Sequence, residues 1–279
     1  MSPRGRRLLL HAALVVFAAL TLLPLVWMVS VSFMPAGTAS VFPPPLLPRQ
    51  PTLANYRVLF AAHGMGRYFA NSLWLASLTT FFSLLFNSLS GFAFAKLRFA
   101  GREALLRTLL AALVIPSQVA MMPLFLTMKW LGLVNTYTGV VLPAAASIFG
   151  VFLVRQYALS IPDELLEAAR IDGAGEMRIF LRIVLPVLRP ILATLAIFSF
   201  LGGFMFLGGW NDFLWPLIVL TDQSMYTLPV ALAALSRQHA QDNELMMAGA
   251  VLTVLPILLL FLSLQRYYLR GILMGSVKG

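Results

Sequence analysis

The 279-residue chain contains no cysteine, which excludes a disulfide framework, a thiolate metal site and a cysteine nucleophile. Histidine is almost as scarce. His11, His63 and His239 stand far apart, and no metal-ligand spacing joins them. Charge is thin as well: 11% of residues are charged, against about 25% in an ordinary soluble domain. Hydrophobic residues make up 60% of the chain, more apolar surface than a water-soluble fold can bury or a disordered chain can carry. Only 10 acids oppose 20 Lys and Arg. No basic patch is interleaved with stacking aromatics, so the excess does not read as nucleic-acid binding. It reads as the basic bias of the cytoplasmic loops of a membrane protein.

A membrane helix needs about 20 mostly apolar residues. Six segments qualify: Leu8–Phe33, Phe69–Ala95, Leu105–Met128, Thr138–Tyr157, Val184–Trp210 and Leu245–Tyr267. Arg4, Arg6 and Arg7 precede the first, but its apolar run is too long for a signal peptide and no small-residue cleavage pattern follows, so it reads as a retained helix. Of the 20 Lys and Arg, only Arg49, Arg57, Arg67, Lys129 and Arg237 fall on one side of this layout. The basic side is then cytoplasmic, and both termini face it. The long outer loops are the proline-rich Met34–Tyr68 and the segment Asn211–Glu244, in which Phe213–Leu220 is apolar enough to dip into the interface between Trp210 and Trp215.

The span interiors hold no Asp, Glu, Lys or Arg. Ion-coupled transporters and voltage sensors place such residues there, so any driving energy enters from outside the membrane. Polar uncharged residues are present: Asn71, Ser72, Asn87, Ser88, Ser90, Gln118 and Asn211. They suit either the lining of a path for a hydroxylated solute or hydrogen-bonded glue between helices.

The most structured polar stretch is Arg155–Pro190. Ser160 and Asp163 form an S-x-x-D helix start with Pro162 in the first turn, and Asp163, Glu164 and Glu167 crowd the positive end of the helix dipole. Gly173 and Gly175 break this helix. A second amphipathic piece follows, with Met177, Phe180, Leu181 and Val184 at helical spacing on one side. A two-part helix-turn-helix with small residues at its tip reads either as a tidy surface loop or as a knob that enters a partner.

The spacing of this loop resembles the signature of ABC-importer permeases: E-A-A, three residues, G, nine residues, I-x-L-P. Here it is Glu167-Ala168-Ala169, Gly173 and Ile183-Val184-Leu185-Pro186. Nearly the whole chain is similar to the smaller permease of maltose-type carbohydrate importers. The marks are TLANY at Thr52–Tyr56, AFAKLRFAGR at Ala93–Arg102, PLFLTMKWLGLVN at Pro123–Asn135, IPDELLEAARIDG at Ile161–Gly173, WNDFLWPLIVL at Trp210–Leu220 and LQRYYLRGILMGSVKG at Leu264–Gly279.

That resemblance implies an all-α membrane protein with six transmembrane helices, the type I ABC importer permease fold and cytoplasmic termini, in the bacterial cytoplasmic (inner) membrane. Residues 1–68 would form the first helix and a long periplasmic loop. Residues 69–267 would form the transmembrane core with a coupling loop at 155–189, and 268–279 a cytoplasmic tail. It implies a second homologous permease, two ATP-binding-cassette ATPase subunits and an extracytoplasmic sugar-binding protein as partners. This chain would bind no cofactor, since ATP and magnesium would sit on the ATPases, and it has no G-x-x-x-x-G-K-S/T phosphate loop. Glu167, Ala168, Ala169, Asp172 and Gly173 would couple to the ATPases. Gly271, Gly275, Val277, Lys278 and Gly279 of the tail would contact them. Gln118, Trp210 and Asn211 are the candidates for the solute path. The same fold would also serve a glycerol phosphate or a peptide. A membrane enzyme would need an acid–base or metal constellation, and Asp212 has no base near it in sequence.

Two departures from the family pattern stand out. Ile272-Leu273-Met274 is bulkier than the small residues usual in the tail, and the FLGG of Phe200–Gly203 recurs as Phe206–Gly209. Six extra residues would turn a helix by about 600°, or about −120° net. Either the outer end of the fifth span breaks, or the helix runs on and protrudes.

Overall fold

Apolar runs at membrane depth become helices because every backbone N–H and C=O must find its partner within the segment. The computed structural model describes residues 3–202, 207–238 and 242–276, the last thirteen of these as backbone alone. In chain order its helices are α1 (Pro3–Ser32), α2 (Ala54–Ala61), α3 (Met65–Lys96), α4 (Arg102–Ala112), α5 (Ser117–Trp130), α6 (Tyr137–Ala144) and α7 (Ile148–Ala158). There follow α8 (Asp163–Ile171), α9 (Glu176–Ile179), a π-helical turn (Phe180–Val184), α10 (Leu185–Leu201), α11 (Leu214–Val219), α12 (Leu228–Gln238) and α13 (Asn243–Ser276). No strand occurs among the described residues.

Five helical runs are long and apolar enough to cross a membrane: Arg4–Ser32, Met65–Lys96, Tyr137–Ala158, Glu176–Leu201 and Asn243–Ser263. The expected third span, Leu105–Met128, is not one straight helix. It is α4 and α5, bent by 110° across the break between them. Leu113, Val114 and Ile115 donate to carbonyls three residues back, which tightens and ends α4. Pro116 follows at ψ 131°, brings no N–H, and opens α5 in a new direction. The bent pair makes a sixth span if it is counted as one.

The chain divides into two compact units: Met1–Gly66 with Ala231–Ile257, and Arg67–Val230 with Leu258–Gly279. In the first, the TLANY segment closes the end of α1. Asn55 is buried, and its Nδ2 donates to the carbonyls of Ser32 at 2.9 Å and Met34 at 2.8 Å. The Ser32 carbonyl is among the four that a helix C-terminus leaves without partners, and Met34 lies two residues beyond it. Tyr56 donates to the Ser32 hydroxyl at 2.8 Å. At the start of α13, buried Glu244 accepts from the Ala39 N–H at 2.6 Å and so anchors the proline-rich loop.

In the second unit, three polar residues of the spans, Asn71, Ser72 and Asn87, act as glue. Asn71 donates to the carbonyls of Ser224 and Tyr226, each at 3.0 Å, and the Ser72 hydroxyl accepts from Leu228 N–H at 2.7 Å. Asn87 donates to Ser83 and accepts from the Ser147 N–H at 3.0 Å, which fixes the start of α7. Asn135, at φ +59°, accepts from the N–H groups of Thr221 and Asp222, each at 2.9 Å.

The fifth span ends earlier than Trp210. Gly202 terminates α10 at φ 72°, ψ −172°, a region closed to any residue with a Cβ. The chain then returns to the same helix end: Trp210 N–H donates to Phe200 C=O at 2.7 Å, and Asn211 N–H to Leu201 C=O at 2.9 Å. The described helix therefore ends at the first FLGG copy, and the second copy's Gly208-Gly209 leads the chain back to that end instead of continuing it as helix. Residues 203–206 lie outside the described part.

Trp210 and Trp215 are not interfacial anchors. Both are buried in protein, Trp210 against Phe200 and Phe69, and Trp215 with its indole N–H on the Gly139 carbonyl at 3.2 Å. Their neighbours, the FLGG turn and the α6 start, offer apolar walls and one unpaired carbonyl, which outcompete the membrane surface for an indole. Trp215→Ala is expected to cost about 3–5 kcal/mol. Thermal denaturation of the purified protein in detergent measures it, and a melting point equal to wild type would contradict the burial.

Candidate coupling site

The candidate coupling loop is built where α7 ends. Ser160 does not cap α8. Its hydroxyl donates back to Tyr157 C=O at 2.7 Å, and Pro162 occupies the position before the first helical residue. The proline, at ψ 133°, leads the chain into α8 from the position before its first turn, and no side chain caps that turn. Asp163 and Glu164 stand in the first turn, at the positive end of the helix dipole.

One face of α8 packs inward. Leu166 is buried with Phe92, Val154, Ile161, Ile179 and Phe180, and Ala169 packs partly against the same cluster. The other face is open. Glu167, Ala168, Asp172 and Gly173 are exposed, and so is Ile171, at 86% of its surface. Of the five expected coupling residues, Ala169 thus supports the helix from beneath, whereas the other four lie on its surface. Ile171 was not singled out by the sequence, in which it is one more apolar residue at helical spacing.

The helix ends on a glycine stop. Gly173 has φ +80°, its N–H donates to Arg170 C=O at 3.0 Å, and Ala174 N–H reaches back to Ala169 C=O at 2.9 Å. This six-to-one closure is the Schellman motif, which wants a glycine at the left-handed position. A Cβ at Gly173 would meet nothing within 4 Å, so dihedral strain and not crowding demands glycine here. Arg170 braces the turn by a two-point contact with Glu176, 2.7 and 3.3 Å long, which holds the guanidinium charged.

The second amphipathic piece faces differently from the helical expectation. Ile179, Phe180 and Val184 point inward, while Met177 and Leu181 are exposed. The π-helical turn at Phe180–Val184 is the reason: it shifts the register of side chains between α9 and α10.

A cleft of about 790 Å³ lies beside α8, lined by Lys96, Arg98 and Arg102 from the α3 end and α4 start, and by Asp163, Glu167, Arg170 and Glu176. The hydrogen bond and charge of Lys96 hold the Asp163 carboxyl below its ordinary range. The cleft carries mixed charge and no paired general acid and base. It suits recognition of a protein surface more than bond chemistry.

The solute-path candidates are dispersed. Gln118 is exposed near the start of α5 and accepts from the Ser117 hydroxyl at 3.4 Å. Trp210 is buried, and Asn211 is exposed just after it. Asp212 is largely buried, and its burial pushes the carboxyl up while the Gly208 N–H, 2.6 Å away, opposes that. Of the tail candidates, the backbone of Gly271 and Gly275 continues α13 as helix, and Val277, Lys278 and Gly279 lie outside the described residues.

Residues 87–273 match the model of a family described as binding-protein-dependent transport system inner membrane component. The chain belongs to that family. It is 41% identical over 269 residues to the arabinooligosaccharides transport system permease protein AraQ of Halalkalibacterium halodurans, which covers 94% of this chain and 93% of the relative. It is 36% identical to the lactose transport system permease protein LacG of Rhizobium radiobacter, over 80% of each chain. Its fold is that of a chain in the crystal structure of a bacterial ABC transporter involved in import of the acidic polysaccharide alginate, with a TM-score of 0.82, 24% identity, and coverage of 96% and 98%. The protein is thus a multi-pass transport permease of an ABC importer, not an enzyme. The matched residues of this permease contain the whole coupling loop and the cleft beside it.

Proposed function

We propose that this permease is one of two related subunits forming the path by which an oligosaccharide enters a bacterium across its cytoplasmic membrane, with both termini inside. An extracytoplasmic binding protein delivers the sugar. Two ATPase subunits bind ATP and magnesium and drive the cycle, and α8 is the knob on which one of them docks. The observation that carries this reading is the α8 tip. A helix seated on the bundle by Leu166 ends at a glycine stop and leaves Ile171 and Ala168 uncovered. ATP-driven closure of the ATPases would push on this tip and open the path alternately outward and inward. The arabinooligosaccharide and lactose relatives favour a sugar, and the uncharged span interiors suit a neutral hydroxylated solute.

The test is co-purification in detergent of the permease pair and ATPase, comparing wild type with Gly173→Arg. An arginine must adopt the strained left-handed dihedral and also projects a charged chain into the interface. Loss of the ATPase with the permease pair intact is the expected result. Equal retention of the ATPase by the variant would refute the docking role. Uptake of labelled arabinotriose, lactose and glycerol 3-phosphate by proteoliposomes then identifies the solute class, with uptake of glycerol 3-phosphate alone refuting the sugar.

A further inference from the structure

Lys96 is the last residue of α3 and carries one of the most enclosed charges in the second unit. Its side chain is 5% exposed. Its ammonium donates to Ile161 C=O at 2.5 Å and to Asp163 Oδ1 at 2.6 Å. The two acceptors differ in kind. Ile161 belongs to the turn that leads into α8, and Asp163 is the first residue of α8 itself. One side chain therefore holds both the approach to the helix and its first turn, across 65 and 67 residues of sequence.

The location is costly for a cation. Burial strips its hydration, and the amino end of α8 presents the positive pole of the helix dipole. Two short acceptors offset this, but an apolar residue would serve packing at less cost. Only the lysine is enclosed; the Asp163 carboxyl is 73% exposed, so the ion pair itself adds little stability, and what the two contacts fix is the position of the α8 start against the end of α3. The covalent connections of α8 are weak levers by comparison. On one side is the turn Leu159–Pro162, and on the other the glycine turn at Gly173. A second tie runs parallel to the first, Arg155 Nε donating to Phe94 C=O at 3.3 Å, and joins α7 to the same end of α3.

We propose that Lys96 is a positioning residue that fastens the coupling helix to α3, so that displacement of α8 is delivered to that membrane span and not absorbed by the flanking turns. This rests on the docking role of α8 given above. Without the clamp, the ATPase still docks and hydrolyses ATP, but the stroke is lost in the loop.

The absence of cysteine makes a direct test simple. Ala100→Cys and Glu164→Cys introduce two nitroxide sites, one beyond the end of α3 and one on α8. Their separation is read by electron paramagnetic resonance in the full complex with partner permease and ATPases, without nucleotide and with ATP–vanadate. With Lys96 the expected distribution is narrow and the same in both states. Lys96→Ala broadens it and lets it shift with vanadate. In proteoliposomes, arabinotriose moved per ATP falls by roughly tenfold, the scale of a single coupling free energy, while ATP hydrolysis persists. Lys96→Arg keeps the narrow distribution and the transport ratio, since a guanidinium can still donate to both the Ile161 carbonyl and the Asp163 carboxylate. If Lys96→Ala is not recovered from membranes, Asp163→Asn carries the same comparison, since it breaks the ion pair and leaves the Ile161 contact. An unchanged distribution in the clamp variants overturns the proposal. A wild-type complex that never retains ATPase overturns the docking reading instead, and the nucleotide-free widths still decide whether Lys96 fastens α8.

Discussion

Gly209→Ala is expected to leave little folded protein in the membrane. A Cβ built on Gly209 would stand 2.3 Å from both Cα and N of Gly202 and 2.7 Å from the Ser199 carbonyl oxygen. All of these are backbone atoms, so no side chain can swing away. The opposite strand of the crossing is equally fixed, because Gly202 occupies its glycine-only dihedral region. Relief would require pulling apart the bonds from Trp210 to Phe200 and from Asn211 to Leu201, and with them the stacking of Trp210 on Phe200 at 6.1 Å. Overpacking costs about 1–3 kcal/mol, and here every clashing atom is backbone, so a loss at the upper end, about 3 kcal/mol, is expected. Size-exclusion recovery after heating in detergent measures it. Gly66→Ala is the control, since its Cβ would meet only the Phe60 ring at 3.5 Å. Recovery of Gly209→Ala equal to that of the control would show that the crossing is not a structural requirement.

The break at Gly202 was half legible in the sequence. The FLGG duplication said that six residues had to go somewhere, and a helix cannot absorb them without rotating its face. Which of the two outcomes occurs depends on what meets Gly202, and Gly209 is its partner only after the chain has folded back. The bend between α4 and α5 shows the same limit. Leu105–Met128 is mostly apolar, so composition marks a membrane segment but not its direction, and Pro116 permits a bend without setting its 110°. The helix, glycine stop and second helix of the candidate coupling loop were far more legible, because E-A-A, G and I-x-L-P are local and their spacing is preserved. What the motif did not convey was the division of labour within it. Ala169 packs inward, and Ile171, outside the motif letters, is the exposed tip. Lys96 was visible only as part of AFAKLRFAGR, since its partners lie 65 and 67 residues away. Asn71 and Ser72 suited either path lining or glue between helices, and their hydrogen bonds to 224–228 show the packing role.

Ile171→Asp is expected to abolish retention of the ATPase while leaving the permease itself as stable as wild type. An isoleucine exposed over 86% of its surface contributes almost nothing to the fold that bears it. Its hydrophobic surface becomes useful only when something covers it. Leu165 and Met177, 47% and 59% exposed, add apolar surface on the same hairpin. A charge placed at the tip would have to be desolvated in any cleft that receives α8, and it would do so beside Asp172 and Glu167, which are already negative. Central interface residues of this kind carry about 2–4 kcal/mol when removed, so affinity should fall by roughly thirtyfold or more. Two controls separate docking from folding. Leu166→Ala, beneath the same helix, removes a side chain that is 1% exposed and should lower the melting point instead. Phe42→Asp changes an even more exposed apolar residue, at 94%, in the loop that the charge distribution places on the opposite side of the membrane, and should leave ATPase retention unchanged. Retention of ATPase by Ile171→Asp at the wild-type level would mean that the tip of α8 is not what the ATPase grips. Loss in Phe42→Asp as well would mean that exposed apolar residues hold the complex together without regard to face, and the α8 tip would lose its special role.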